Sequence, residues 1–316
     1  MIGLEVLYVI GGAFFAAISV LSARDASNPK RWKNTAFWGL FSASFLFGSH
    51  LPDLANGLIV IAMVLVAGVG GLGRGEPRTT TPQERAESAA RLGNRLFLPA
   101  LAIPLTALAG TFAFKRPELG GLVDPKQATL VSLILGVFVA LAIALPMLRA
   151  RPAAPLQEGR RLLDTVGWAA VLPQMLAALG AVFAAAGVGA AIGQIASDWL
   201  PDGSRLAAVA AYTFGMAIFT MVMGNAFAAF PVMAAGIGLP LIVQRFGGDP
   251  AIMGAIGMLS GFCGTLMTPM AANFNIVPAA LLELSDRNGV IRAQVPTALL
   301  LLLANTALMY VLVFRF

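Results

Sequence analysis

The chain has 316 residues, 58% of them hydrophobic and only 11% charged, against roughly 25% charged in an ordinary soluble domain. Its mean hydropathy of +0.83 excludes a cytosolic enzyme, a disordered scaffold and a secreted disulfide protein; lone Cys263 has no partner for an internal bridge. The net charge is +6 and the pI about 10.1, which in so apolar a chain points to basic loops facing anionic lipid, not to nucleic acid. The apolar stretches lack ten-residue alternation, so an outer-membrane barrel is excluded too. An all-α, multi-pass membrane protein remains.

Each crossing needs about 20 apolar residues. In chain order the candidates are Ile2–Leu21, Thr35–Phe47, Leu54–Gly71, Leu96–Phe114, Ala128–Leu148 and Trp168–Gly187. The first has no basic n-region and reads as a retained helix, not a cleaved signal. The second is short, with Trp32 and Trp38 anchoring its end. Four apolar pieces follow Leu200–Pro201, namely Leu206–Val222, Phe227–Val243, Ala251–Thr265 and Phe274–Leu284, and the last crossing is Thr297–Phe314. This predicts about eight crossings plus a re-entrant helical hairpin.

With the N-terminus outside, the cytoplasmic loops hold most of the 21 Lys and Arg. Among them are Arg24, Lys30 and Lys33, Arg74 to Arg95, Arg149 to Arg161, and Arg287 with Arg292. The asymmetry predicts an N-out, C-out topology, with 251–284 crossing once as an interrupted helix. Residues 1–148 read as a five-helix, scaffold-like part and 149–161 as a basic cytoplasmic linker. Residues 162–316 read as a transport-like part made of a hairpin (206–243), an interrupted helix (251–284) and a final helix (297–314).

Two interruptions carry chemistry. In Met221-Val-Met-Gly224-Asn225-Ala226-Phe227 an apolar run stops at Gly-Asn and another starts at once. Gly and then Asn best tolerate unusual backbone angles, so the segment reads as a hairpin tip touching solute; a plain turn between helices is the alternative. In Gly261-Phe-Cys263-Gly264-Thr265-Leu-Met-Thr268-Pro269-Met-Ala-Ala-Asn273-Phe-Asn275, Pro269 and the glycines break an apolar helix. Thr265, Thr268, Asn273 and Asn275 supply neutral donors and acceptors there. A new helix N-terminus suits an anion, and the carbonyls freed by the first half-helix suit Na+. A Pro-kinked helix that satisfies its own backbone is the alternative. Backbone groups freed at membrane depth persist only in protein or beside a wet cavity, and paired discontinuous helices mark transporter midplane sites. The glycines at 254, 257, 261 and 264 form one helix face for close packing.

Other residues have plainer readings. Asp164 caps the helix holding Pro173 and Gln174, a proton relay being the lesser alternative, and Gln174 is a candidate cavity residue. Gly180, Gly187, Gly189 and Gly193 read as packing positions before an interfacial segment ending at Trp199. His50 and Asp53 occupy a solvated turn. One His excludes HExxH zinc chemistry, one Cys with one His is too few for a Cys/His zinc site, and no Walker A motif is present. The chain reads as a non-enzyme without a cofactor.

The Gly-Asn tip followed by Gly264-Thr265-x-x-Thr268-Pro269-x-x-x-Asn273-x-Asn275 resembles the ion transporter superfamily, which includes the divalent-anion:sodium symporters. That resemblance implies inverted repeats, each with a re-entrant hairpin and an unwound helix, and an elevator-type transport domain. It assigns the tip to Gly224, Asn225 and Ala226, and the unwound helix to Gly264, Thr265, Thr268, Asn273 and Asn275. The tip here is Gly-Asn-Ala where the symporters have Ser-Asn-Thr, and only one such signature is present. Over its whole length the chain resembles a bacterial permease family known as domain of unknown function 979. That resemblance implies a place in a bacterial inner membrane, a smaller membrane partner encoded alongside and a link to 5-oxoproline. A partner chain, or a second copy, then supplies the missing half-site. The expectation is a subunit of a secondary transporter for a small organic anion, coupled to Na+ or H+; a passive channel and a structural partner of another permease are the alternatives.

Overall fold

The computed structural model describes residues 2–76, 80–116, 121–201, 203–282 and 284–315. Among these, helix dominates, and the only β pairing is an isolated bridge between Ile2 and Val123. Six helices are long and apolar enough to cross a membrane: Leu4–Ala23, Gln83–Ala113, Ala128–Leu148, Arg205–Met223, Ala226–Arg245 and Gly289–Leu312. A pair bent by 64°, Ala178–Ala185 with Val188–Ala196, makes a seventh if counted as one span. Asp53–Gly68 and Pro250–Leu266 are apolar but shorter. The chain is a multi-pass helical membrane protein.

Two compact units divide it, Met1–Gly167 and Trp168–Phe316. Unit 1 begins with a hairpin of α1 (Leu4–Ala23) and α2 (Arg31–Phe47). Rings fill this hairpin: Phe15 stacks on Trp38 and lies 4.8 Å from Phe41, centroid to centroid. The Ser42 hydroxyl donates to the Gly12 carbonyl across it at 2.8 Å. Next comes α3 (Asp53–Gly68), whose open C-terminal carbonyls, Val69 O and Gly70 O, accept from the Lys33 and Lys30 ammonium groups. Cations favour that end of a helix, where the dipole is negative.

A polar helix α4 (Pro82–Leu92) starts at a capping box between Thr81 and Glu84. The following α5 (Phe97–Ala113) pairs with α6 (Ala128–Leu148). Gly136 allows the approach, since a Cβ there would sit 2.8 Å from the Ile103 carbonyl. The last helix of unit 1 is α7 (Ala154–Val166). The segment read as a basic linker is therefore helical from Ala154 onward, and α7 packs on α1 with Gly159 beneath Phe14. It is amphipathic, so it buries one face instead of hanging in solvent.

Unit 2 starts with the bent pair α8 (Leu172–Ala185) and α9 (Val188–Trp199), joined through Gly187 at φ +71°. The bend falls at Gly187, the end of the stretch Trp168–Gly187 predicted to cross, and α9 occupies the stretch predicted to lie at the interface up to Trp199. After it come α10 (Arg205–Met223) and α11 (Ala226–Met233), the latter running on as a π-helix over Ala234–Arg245. Gly215 meets Met233 and Gly238 meets Tyr212, positions about equally far from Gly224-Asn225, so the arms form an antiparallel hairpin. Both arms are long and apolar enough to cross a membrane. Beside it lie α12 (Pro250–Leu266), α13 (Ala272–Leu281) and α14 (Gly289–Leu312). Val209, Tyr212, Met216, Met233, Ile242, Met253 and Met309 form the core.

Candidate functional site

The site is built by helix packing in unit 2. The glycine face of α12 lies on α10: Gly257 meets the Tyr212 ring, Gly261 meets Met216 and Thr220, and Gly264 meets the Ala217 backbone. Contacts advance together along both helices, so α10 and α12 run parallel and end at the same level. A Cβ on Gly264 would stand 2.3 Å from the Ala217 carbonyl, so glycine is what lets the two ends come this close.

Both helices then break. Gly224 takes φ +76° and ends α10, an angle glycine adopts without the penalty of a Cβ. A Cβ there would be 2.6 Å from the Met270 carbonyl, so the two breaks touch. The Thr268 hydroxyl donates to the Met221 carbonyl in the last turn of α10 at 2.9 Å and accepts from the Met270 N–H at 3.2 Å. Two helix C-termini and the N-termini of α11 and α13 thus converge. The Gly-Asn turn and the Thr-Pro break, far apart in sequence, make one place.

Most of the groups freed by the breaks are satisfied. Asn225 caps α11, its Oδ1 accepting from the Phe227 N–H at 2.7 Å. The Asn275 amide donates to the Thr265 carbonyl at 2.8 Å and the Thr268 carbonyl at 2.7 Å, closing the end of α12. Thr265 bonds back to Phe262 at 2.6 Å within its own helix. Ala226 is buried against Gly261. Asn273 is half-buried, and its side chain makes no hydrogen bond among the described residues.

Beside the breaks, two polar atoms are left without partners among the described residues. Asn275 is 0% exposed, and with its amide N–H groups fixed by two carbonyls its Oδ1 has no partner. The Thr220 hydroxyl, on a side chain also 0% exposed, has none either. Buried polar atoms without partners are rare and call for a cause, a bound water or ion among them. Thr220 was not singled out in the sequence; its position one turn before Gly224, opposite Gly261, is the signal that finds it once α10 and α12 are paired.

Around this centre the remaining elements are close-packed. Gly180 lies against the Ala228 backbone, Gly189 against the Val232 carbonyl and Gly193 against the Gly236 carbonyl, so α8 and α9 ride on α11 and its π-helical continuation. A π-helical stretch is rare and is often found at functional sites. A separate small surface depression, lined by Leu200, Ser204, Leu241, Arg245 and Phe246 among others, includes none of the break residues.

Asp164 is placed differently from its sequence reading. It does not cap α8; it sits inside α7, buried, and its Oδ1 accepts from the Asn34 amide at 2.8 Å and the Trp38 indole at 3.2 Å. Burial raises its pKa, opposed by these two hydrogen bonds and by Arg160.

Residues 5–314 match the family described as protein of unknown function DUF979. The chain belongs to that family. No curated protein and no solved structure matches it significantly. The match runs through both units, so the α7 cluster and the paired breaks lie alike within the DUF979 region.

Proposed function

We propose that this DUF979 protein is a subunit of a secondary active transporter for a small organic anion, 5-oxoproline being the specific candidate. It works with a smaller membrane partner by an elevator-type alternating-access cycle. One observation carries the reading: the α10–α11 turn and the α12–α13 break of unit 2 meet backbone to backbone at Gly224 and Met270, with the polar atoms Asn275 Oδ1 and Thr220 Oγ1 buried close by and, among the described residues, unpartnered. Discontinuous helices packed together in an apolar bundle are how transporters present backbone dipoles to a solute. The Thr220 hydroxyl and two helix N-termini suit a carboxylate without a buried Lys, while Asn275 Oδ1, an acceptor, suits a cation. The close contact at the breaks supports a carrier over a pore, since a pore needs a continuous lined path. The resemblance of the tip and the broken helix to the ion transporter superfamily supports the elevator mechanism and a Na+ or H+ couple.

Counterflow tests the proposal. Proteoliposomes holding this chain and its partner, preloaded with unlabelled 5-oxoproline, are expected to accumulate the labelled compound transiently. Flux without trans-stimulation means a channel. Full transport by the partner alone makes this chain a structural subunit.

A further inference from the structure

The densest group of titratable side chains outside the breaks is in unit 1, where α7 meets α1 and α2. Two carboxylates and one guanidinium meet there and are not equivalent. Arg160 pairs with Asp25, just past the end of α1, at 3.0 Å, both side chains being 10% exposed. The same guanidinium donates to the Leu21 carbonyl at 3.0 Å. Asp164, one turn further along α7 and 8% exposed, forms no ion pair of its own among the described residues. Its Oδ1 holds only neutral donors, the Asn34 amide and the Trp38 indole.

The orientation of that amide is fixed. Asn34 Oδ1 accepts from the Gly73 N–H at 2.9 Å, and Nδ2 donates to the Gly73 carbonyl at 2.8 Å as well as to Asp164. A flipped amide would face one N–H with another. Gly73 leaves no room for a side chain, since a Cβ there would lie 2.1 Å from Asn28 Oδ1. The other charged groups nearby have their own partners: the Arg74 guanidinium reaches the Thr165 carbonyl at 3.4 Å, and Lys30 and Lys33 hold the Gly70 and Val69 carbonyls.

A carboxyl held by an amide N–H and an indole N–H on one oxygen keeps both bonds in either protonation state, because the other oxygen takes the proton. An ion pair does not survive protonation this way. We propose that Asp164, framed by Asn34 and Trp38, is a reversible proton-binding site, and that proton occupancy sets how firmly α7 is docked on α1 and α2. The ligand is H+ from the surrounding water, forming one O–H bond on the carboxyl with no other change in bonding. The direction follows from burial: the charged carboxylate loses hydration in the docked state, so deprotonation weakens docking. With the folded pKa above the usual aspartate value of 3.8, the docked state is favoured at low pH. That advantage is lost as pH rises through the folded value. The proposal is independent of the transport reading.

The test uses the full chain in detergent or nanodiscs. Trp32, Trp168 and Trp199 are 65%, 55% and 85% exposed, so changing all three to Phe leaves Trp38 as the sole indole without touching the core. Over a scan from about pH 4 to 8, Trp38 emission is expected to follow one reversible titration with its midpoint above the usual aspartate value. Hydrogen exchange over 154–166, corrected for its intrinsic pH dependence, is expected to rise about threefold or more across the same midpoint. Asp164→Asn, which keeps an acceptor oxygen and no proton site, is expected to flatten both curves. Asn34→Ala, which removes a donor to the carboxylate, is expected to move the midpoint upward and serves if Asp164→Asn does not fold. A flat response in the wild type, an unchanged titration in Asp164→Asn, an unmoved midpoint in Asn34→Ala, or α7 exchange indifferent to pH would each overturn the proposal.

Discussion

At the scale of single residues, Thr220 and Asn275 separate structure from function in opposite ways. The Thr220 hydroxyl is buried and has no partner among the described residues, so Thr220→Val, which keeps the shape and removes a desolvated group, is expected to leave thermal stability unchanged or raised by up to about 1 kcal/mol. If the hydroxyl meets solute, uptake by the same variant falls at least about tenfold, a loss that stability cannot explain. Unchanged uptake would remove Thr220 from the site. Asn275 does two jobs. Its amide closes the end of α12 on two carbonyls, so Asn275→Ala is expected to abolish uptake and also to destabilise by about 1–3 kcal/mol, read as a lower melting temperature. Asn225→Ala removes the cap of α11 and is expected to cost about 1 kcal/mol. Asn225 and Asn275 were picked out in the sequence, because Asn in an apolar run beside Gly and Pro has few other uses; Thr220 was not. Its unpartnered state follows from what α12 places opposite it.

At the scale of elements, the contact between α10 and α12 holds the breaks together. Glycine at 264 permits it, with the Ala217 carbonyl where a Cβ would be. Gly264→Val must push the helices apart and is expected to cost about 2–3 kcal/mol, in the range of overpacked cores. It should abolish uptake while leaving overall helix content intact by circular dichroism. Wild-type uptake in this variant would mean that the two breaks need not meet. The glycine spacing was visible in the chain, and so was its helical period. Which helix it faced was not, since a smooth face carries no address. The bend between α8 and α9 likewise depends on Gly187 at a positive φ, which a run of small apolar residues does not announce.

At the scale of the whole molecule, the distribution of Lys and Arg predicts both termini outside the cytoplasm. A C-terminal alkaline phosphatase fusion is expected to be active and a C-terminal GFP fusion dark in a bacterial host; the opposite pair of results would invert the topology. The sole thiol offers a second check. Cys263 is buried beside Gly264, so a membrane-permeant maleimide is expected to label the native protein slowly and the unfolded protein fast, and any acceleration by substrate reports the breaks opening.

The sequence by itself determined that this chain lives in lipid, that it is helical, and where its apolar runs fail, because hydropathy and the Gly, Pro and Asn punctuation are local properties. Tertiary structure alone decided that the two failures fall side by side, that Asp164 turns inward to Asn34 and Trp38, and that Thr220 and Asn275 are left with unanswered polar atoms. Those facts depend on which helix packs on which, and close packing is set by shape across distant parts of the chain, which no short window of residues encodes.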